Sequence, residues 1–226
     1  MTLFTSINGL RVTAVVVRVP FAGVWFADVD LDDEVALAGA VVVRVGSLEC
    51  QGTLLRSFSG SFELASRCRV VGGAGGWAKR LTPRHYHNDA RVKVSTVVRD
   101  AAREVGEKIE LVGGFDGRLE VDFVRQAAPA SRVLEQVLGA AAWWVGYDGI
   151  TRAGPREQVE VSGSYELLDF DPRAKVATLA VDDPSAIVIG SILRNRLRRP
   201  LVVRQLELEV TRGALRLTAW GREVAR

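Results

Sequence analysis

Apolar and polar positions change period twice along the chain. Residues 10–19 are a β-branched run with no helical repeat, which predicts a strand ended by Pro20 and Gly23. Residues 24–31 alternate. Trp25, Ala27, Val29 and Leu31 share an apolar face, and Val24, Phe26, Asp28 and Asp30 share the other, the spacing of a half-buried antiparallel strand. Residues 40–45, a turn at Gly46-Ser47 and residues 48–58 predict a hairpin and its continuation, and residues 62–71 predict a further strand. Strands this short and this close together predict a small closed barrel or sandwich with few free edges.

The period then becomes helical. Val94, Val97, Val98, Ala101, Ala102 and Val105 fall on one face of a helix over residues 95–105, with Ser95 as N-cap and Gly106 as stop. Leu119, Val121 and Phe123 alternate with Glu120 and Asp122 as a strand. Pro129-Ala130-Ser131 opens a second helix whose stripe is Val133, Leu134, Val137, Leu138 and Ala141. Neither stripe carries an ionisable residue, so both helices are expected to pack and do nothing chemical. Trp143-Trp144-Val145-Gly146-Tyr147, then Asp148-Gly149 and Ile150-Thr151-Arg152, predicts a tight hairpin with the two tryptophans on opposite faces. After Pro155 the period of two returns over residues 158–161, 167–170, 174–181, 187–193, 202–210 and 214–220, the last two forming a hairpin around Thr211-Arg212-Gly213. The expected fold is therefore mainly β with an α+β insert. Two small antiparallel β-barrels, residues 1–76 and 156–226, are joined by a helix–strand–helix–hairpin segment, residues 77–155.

Composition narrows this picture only a little. With 226 residues, 48% apolar and 25% charged, the chain can bury one large core or two to three small ones. The net charge of +3 is too small to imply nucleic acid. Its distribution is more informative: residues 190–226 hold nine arginines against Glu207, Glu209 and Glu223, +6, which leaves −3 for residues 1–189. Two cysteines, Cys50 and Cys68, without a Cys-x-x-Cys pair or a Cys/His cluster, predict buried reduced thiols. The apolar run at residues 12–17 lies between Arg11 and Arg18 and is too short for a signal or membrane segment. The expectation is a chain made and folded in the cytoplasm, with no membrane partner.

Candidate chemistry is sparse. Asp32, Asp33 and Glu34 are consecutive acids without partners of ligand spacing, and predict a solvated loop. Gly72-Gly73-Ala74-Gly75-Gly76-Trp77 is glycine-rich, but no helix follows directly and no Lys-Ser/Thr succeeds it, so a crossing anchored by Trp77 is expected instead of a phosphate cradle. His85 and His87 flank Tyr86 in a polar stretch without companions at metal-ligand spacing, and predict a solvent-facing loop or interface. The sharpest charge feature is Arg194-Asn195-Arg196-Leu197-Arg198-Arg199-Pro200, four arginines in six residues. It fits a subunit or partner interface, a solvated loop, or a nucleic-acid footprint. No catalytic residue, cofactor-binding residue or metal ligand is expected, and no cofactor. The expected interface residues are Trp77, Trp144, Arg194, Arg196, Arg198 and Arg199.

The order barrel, glycine-rich crossing, insert and second barrel resembles the phage tail hub proteins, the late-control-protein group related to the T-even baseplate hub and to the N-terminal half of type VI secretion spike proteins. The likeness is carried by Gly23-Val24-Trp25-Phe26-Ala27-Asp28-Val29 with residues 39–52 behind it, by residues 70–77, by residues 94–107 and by residues 143–149. It implies a non-enzymatic structural subunit of a virion tail, assembled in the bacterial host cytoplasm. It further implies a homotrimeric ring that adapts a sixfold tail tube to a threefold spike or tip. The implied partners are other copies of the chain, a tail tube or distal tail protein, a spike or tip protein, and a tape-measure protein. Larger hubs carry additional domains, so this chain would be a minimal one. Two other readings stand beside it. One is a peptidoglycan hydrolase, for which Glu34, Asp100, Asp116 and Asp122 show no mutual spacing logic. The other is a nucleic-acid- or saccharide-binding β-barrel module using the Arg194–Arg199 loop.

Overall fold

The computed structural model describes residues 4–32, 37–62, 65–139, 142–161, 164–211 and 214–224. The first part of the chain forms β1 (Thr5–Ile7), β2 (Leu10–Arg11), β3 (Ala14–Pro20), β4 (Phe26–Leu31), β5 (Ala40–Val45), β6 (Leu48–Leu54), β7 (Gly60–Phe62) and β8 (Ala65–Gly72). Period-two burial runs through them as expected. Val15, Val17 and Val19 face inward on β3, and Ala27, Val29 and Leu31 on β4, with Trp25 fully buried just ahead of it. Val41, Val43 and Val45 complete this core with Cys50 and Val70. Both cysteines are free and buried, and burial pushes the Cys50 thiol up to about 12. β2 and β3 are two halves of one bent strand: at the bend the Val12 N–H donates to Thr5 O and the Thr13 N–H to Asp30 O. The path β3-β4-β8-β6-β5-β1-β2 therefore begins and ends on the same segment. Asp33 and Glu34 of the expected acidic loop lie outside the described residues.

The middle of the chain forms β9 (Arg84–His87), α1 (Val94–Val105), β10 (Ile109–Leu111), β11 (Asp122–Arg125), α2 (Ala130–Leu138), β12 (Ala142–Val145) and β13 (Thr151–Gly154). The α1 stripe is buried as its spacing required, and so are Val133, Leu134, Val137 and Leu138 of α2; Ala141 lies outside the described residues. Gly106 ends α1 in the left-handed conformation, φ +80, with the Glu107 N–H returning to Ala102 O. The start of α1 differs from expectation. Lys93 occupies the N-cap without a side-chain bond, and Ser95 lies within the first turn, its N–H donated to the Asp116 carboxylate at 3.1 Å. A cap from a distant segment has replaced the local one.

The strand expected around residues 119–123 is displaced. Leu119 and Glu120 spend their backbone on Val92, so pairing begins only at Asp122, where β11 runs antiparallel to β9. Residues 82–91, expected as a solvent-facing loop or interface, thus contain a strand. β12 and β13 form the expected hairpin, but the register Val145↔Thr151 leaves a five-residue turn at residues 146–150 where a tight one was expected. β10 adds to β13 in parallel, a strand the sequence reading did not foresee.

The last part forms β14 (Val159–Glu160), β15 (Tyr165–Asp171), β16 (Val176–Val181), β17 (Ser191–Leu193), β18 (Leu201–Thr211) and β19 (Ala214–Glu223). Leu206, Leu208 and Val210 of β18 face inward with Leu217 and Ala219 of β19. Arg212 and Gly213, in the turn between these strands, lie outside the described residues. The strand expected over residues 187–193 is reduced to β17, because Gly190 turns the chain at φ +96.

Both ends of the chain share one sheet, with the path β15-β16-β19-β18-β3-β4-β8-β6-β5-β1-β2. Its seam is the antiparallel pair β18–β3, in register from Gln205↔Pro20 to Thr211↔Ala14. On the outer face Arg18 bridges the seam to Glu207 and reaches Asp28 at 3.5 Å. Arg69 holds Asp28 in a two-pronged pair at 2.7 and 3.0 Å, and Phe26 lies beneath both guanidinium groups. Among the described residues, no helix is long and apolar enough to cross a membrane.

Candidate interaction site

The glycine-rich crossing is closed by a side chain of the insert. Gly73 and Gly75 take positive φ, +74 and +72, and this aims the following N–H groups inward. The buried Glu107 carboxylate, one residue beyond the α1 cap, accepts from the Ala74 N–H at 3.1 Å and the Gly76 N–H at 2.6 Å. The position a phosphate would take in a glycine cradle is filled from within the chain. Gly76 is required by contact: a Cβ there would lie 2.3 Å from Val105 O. Trp77 follows, only 2% exposed, with its ring 5.6 Å from that of Trp143 and its Nε1–H donated to Thr151 Oγ1 at 2.8 Å. Its surface is spent inside the chain, which leaves none of it for a partner.

The β12–β13 hairpin docks on the first half of the sheet through backbone bonds. Gly23 exchanges hydrogen bonds with Trp143 O and the Val145 N–H, the Gln51 N–H donates to Tyr147 O at 2.7 Å, and Trp25 Nε1–H donates to Gly146 O at 3.0 Å. Tyr147 is packed so closely that burial pushes its phenol pKa up. Trp143 and Trp144 face opposite ways, as expected: Trp143 is core, and Trp144 is half-buried at the rim of a cavity of about 590 Å³. Val19, Tyr147, Val159 and Ile189 line the apolar part of its wall. Arg156 enters from the strand side, donating from Nη1 to Phe21 O at 2.7 Å with its guanidinium 4.6 Å from the Trp144 ring centroid. Burial holds its pKa down to about 10. Sequence reasoning did not find Arg156, because a lone arginine after a proline carries no pattern; the half-exposed Trp144 was its only signal.

The arginine loop is divided. Arg194 pairs with Glu160 at 2.9 Å, and its N–H and that of Asn195 donate to Tyr165 Oη. Arg199 pairs with Glu223 at 3.2 Å. Arg196, at φ +58, and Arg198 are exposed and make no ion pair among the described residues. Trp144 and this loop are not brought together. Half of the expected basic patch is neutralised within the chain, and two guanidinium groups are left for solvent or a partner.

His85 and His87 project from β9 to the same side, and both reach Asp122 Oδ1, at 3.1 and 2.8 Å. That hydrogen bond raises the His87 pKa. Among the described residues no group of three or more His, Cys, Asp or Glu side chains is placed to hold a metal ion. The acids considered for hydrolysis are dispersed: Asp100 pairs with Arg84 and Arg103, Asp116 caps α1, Asp122 serves the histidines, and Glu34 lies outside the described residues.

No family model matches the chain, and no curated protein does. Solved structures do. The 43 kDa tail protein of prophage MuSo2 from Shewanella oneidensis superposes with a TM-score of 0.71 at 8% identity, over 99% of this chain and 98% of that one. A tail protein from Neisseria meningitidis MC58 gives 0.67 at 10% identity, over 99% and 97%. The E. coli c3393 protein gives 0.62 at 12% identity, over 98% and 79%; it is described as a component of the type VI secretion system with structural similarity to the T4 bacteriophage tail proteins gp27 and gp5. Identities this low speak for fold alone, and on that ground the chain carries, over nearly its whole length, a fold shared with phage tail proteins and this type VI secretion component.

Proposed function

We propose that the protein is a structural subunit of the tail tip or baseplate hub of a phage or phage-like particle, a homotrimeric ring that adapts a sixfold tail tube to a threefold spike or tip. The observation that carries this reading is the near end-to-end match of fold to a phage tail protein. Two β-barrels per subunit, residues 1–76 and 156–226 around the insert at 77–155, would give three subunits a pseudo-sixfold ring. The return of the sheet path to residues 10–20 supports the first barrel. Its partners are other copies, the tube or distal tail protein, the spike or tip, and the tape-measure protein; it resides in the virion tail after assembly in the host cytoplasm and performs no chemistry of its own. The −3/+6 charge division suits contacts between unlike faces of neighbouring subunits.

The test is mass photometry and negative-stain imaging of the protein with its tube and spike partners. Trimeric rings are expected, and monomers alone under those conditions overturn the reading. Arg196 and Arg198 keep a second reading in view, a nucleic-acid- or saccharide-binding module. Sub-micromolar polynucleotide binding that collapses steeply with added salt would favour it.

A further inference from the structure

Two arginines that meet on the Phe21 ring lack counter-charges, and one of them, Arg156, lines the Trp144 cavity. Arg156 lies against the rings of Trp144 and Phe21, with centroids at 4.6 and 5.8 Å, and Arg204 lies over the Phe21 ring at 3.8 Å. Neither guanidinium has a carboxylate within ion-pair distance among the described residues. The remaining charges at the rim are the Asp148–Arg152 pair, joined at 2.6 Å, and the exposed Glu157. Alternating aromatic and guanidinium groups beside an apolar wall form the kind of surface that dominates interface energies. The occupant this chemistry asks for is an apolar side chain with a free carboxylate next to it.

Among the chain's described residues that pair occurs once. Of its large exposed apolar residues, Val121, Val159 and Leu168 have acidic neighbours. Beside Val121, Glu120 is held by Arg91 and Asp122 by the histidines; beside Val159, Glu160 is held by Arg194. Asp169, next to Leu168, makes no ion pair among the described residues, and Leu168 is 58% exposed. Both sit at a bulge in β15, which ends the sheet path, so the outer backbone edge of β15 has no strand partner among the described residues. In the sheet β15 lies three strands from β18, which carries Arg204; that is roughly 14 Å at ordinary strand spacing, too far for one copy to satisfy its own arginines.

We propose that the Trp144–Arg156–Phe21–Arg204 stack of one copy receives the Leu168–Asp169 pair on the edge strand of a second copy, a head-to-tail contact between unlike surfaces. This rests on the ring-forming reading above. Such a contact is heterologous, and it closes into a ring when the rotation it imposes divides a full turn.

The experiment measures self-association of the full chain, alone and with its tube and spike partners, by mass photometry over a concentration series, with circular dichroism to establish folding. Leu168→Asp and Arg204→Glu are each expected to weaken association by about tenfold or more. The charge exchange Arg204→Glu with Asp169→Arg is expected to restore most of it, a recovery that misfolding cannot produce. Association of the wild type that all three variants leave unchanged overturns this contact and leaves the ring reading standing. A wild type that stays monomeric even with its partners overturns the ring reading and the contact together. Loss of salt-sensitive polynucleotide binding in Arg204→Glu, with self-association intact, would assign the stack to nucleic acid and overturn the contact.

Discussion

Glu107 shows how one side chain settles the character of a loop. Its carboxylate takes the N–H groups of Ala74 and Gly76, so the donors a phosphate would use are already engaged within the chain. Glu107→Ala would leave the buried Gly76 N–H and the part-buried Ala74 N–H without their partner and is expected to lower unfolding free energy by about 1–3 kcal/mol in chemical denaturation. Gly76→Ala is expected to cost more than Gly106→Ala. The Gly76 Cβ would collide with Val105 O, whereas Gly106 has open space and suffers only its left-handed backbone, about 1–2 kcal/mol. Equal losses at the two sites would count against the crossing as described. Burial of Trp77 was legible only in part. Its place after the glycines marked it as an anchor, but whether it anchors inward or toward a partner depends on Thr151 and Trp143, which lie on a hairpin far along the chain.

At the scale of elements, periodicity found what local chemistry dictates and missed what distant segments decide. The stripes of α1 and α2 and the inward faces of β3 and β4 could be read residue by residue, because burial on one face imposes its period on the sequence. The cap of α1 could not. Ser95 is a good capping residue by type, yet the bond that secures the first turn comes from Asp116. Asp116→Ala is therefore expected to fray α1 and cost about 1 kcal/mol, visible as faster amide exchange over the first turn. β11 slipped from its expected place for a related reason, since Val92 claims the backbone of Leu119 and Glu120 first. Of the candidate interaction site, Trp144 was legible from its position opposite Trp143, while Arg156, Phe21 and Arg204 converge only through the fold.

Across the whole molecule the carboxylates paired with arginine and lysine act in one direction with pH. Hydrogen bonds from Arg152 hold Asp148 below the ordinary carboxylate range, those from Thr82 and Arg125 hold Glu104 there, and those from Lys175 and Arg199 hold Glu223 there. Groups depressed in the folded state contribute stability above their unfolded values, near pH 4, and lose it as pH falls through the folded ones. His87, raised by Asp122, works oppositely: its contribution is full below about pH 6.5 and fades as pH rises through its folded value. The melting temperature is expected to fall steeply below about pH 4, with only a shallow change between pH 6 and 8. A steep loss on the alkaline side of neutrality would contradict this balance.

The seam between β3 and β18 has a consequence for how the chain acquires its shape. Arg18 meets Glu207 across 189 positions of sequence. On the ribosome the first eight strands, which pair with one another, can fold early, but the free side of β3 must wait, bare, until β18 has been made. Pairing over such a distance makes the closing step slow, and the waiting edge is the point at which nascent chains would stick to each other or call for a chaperone.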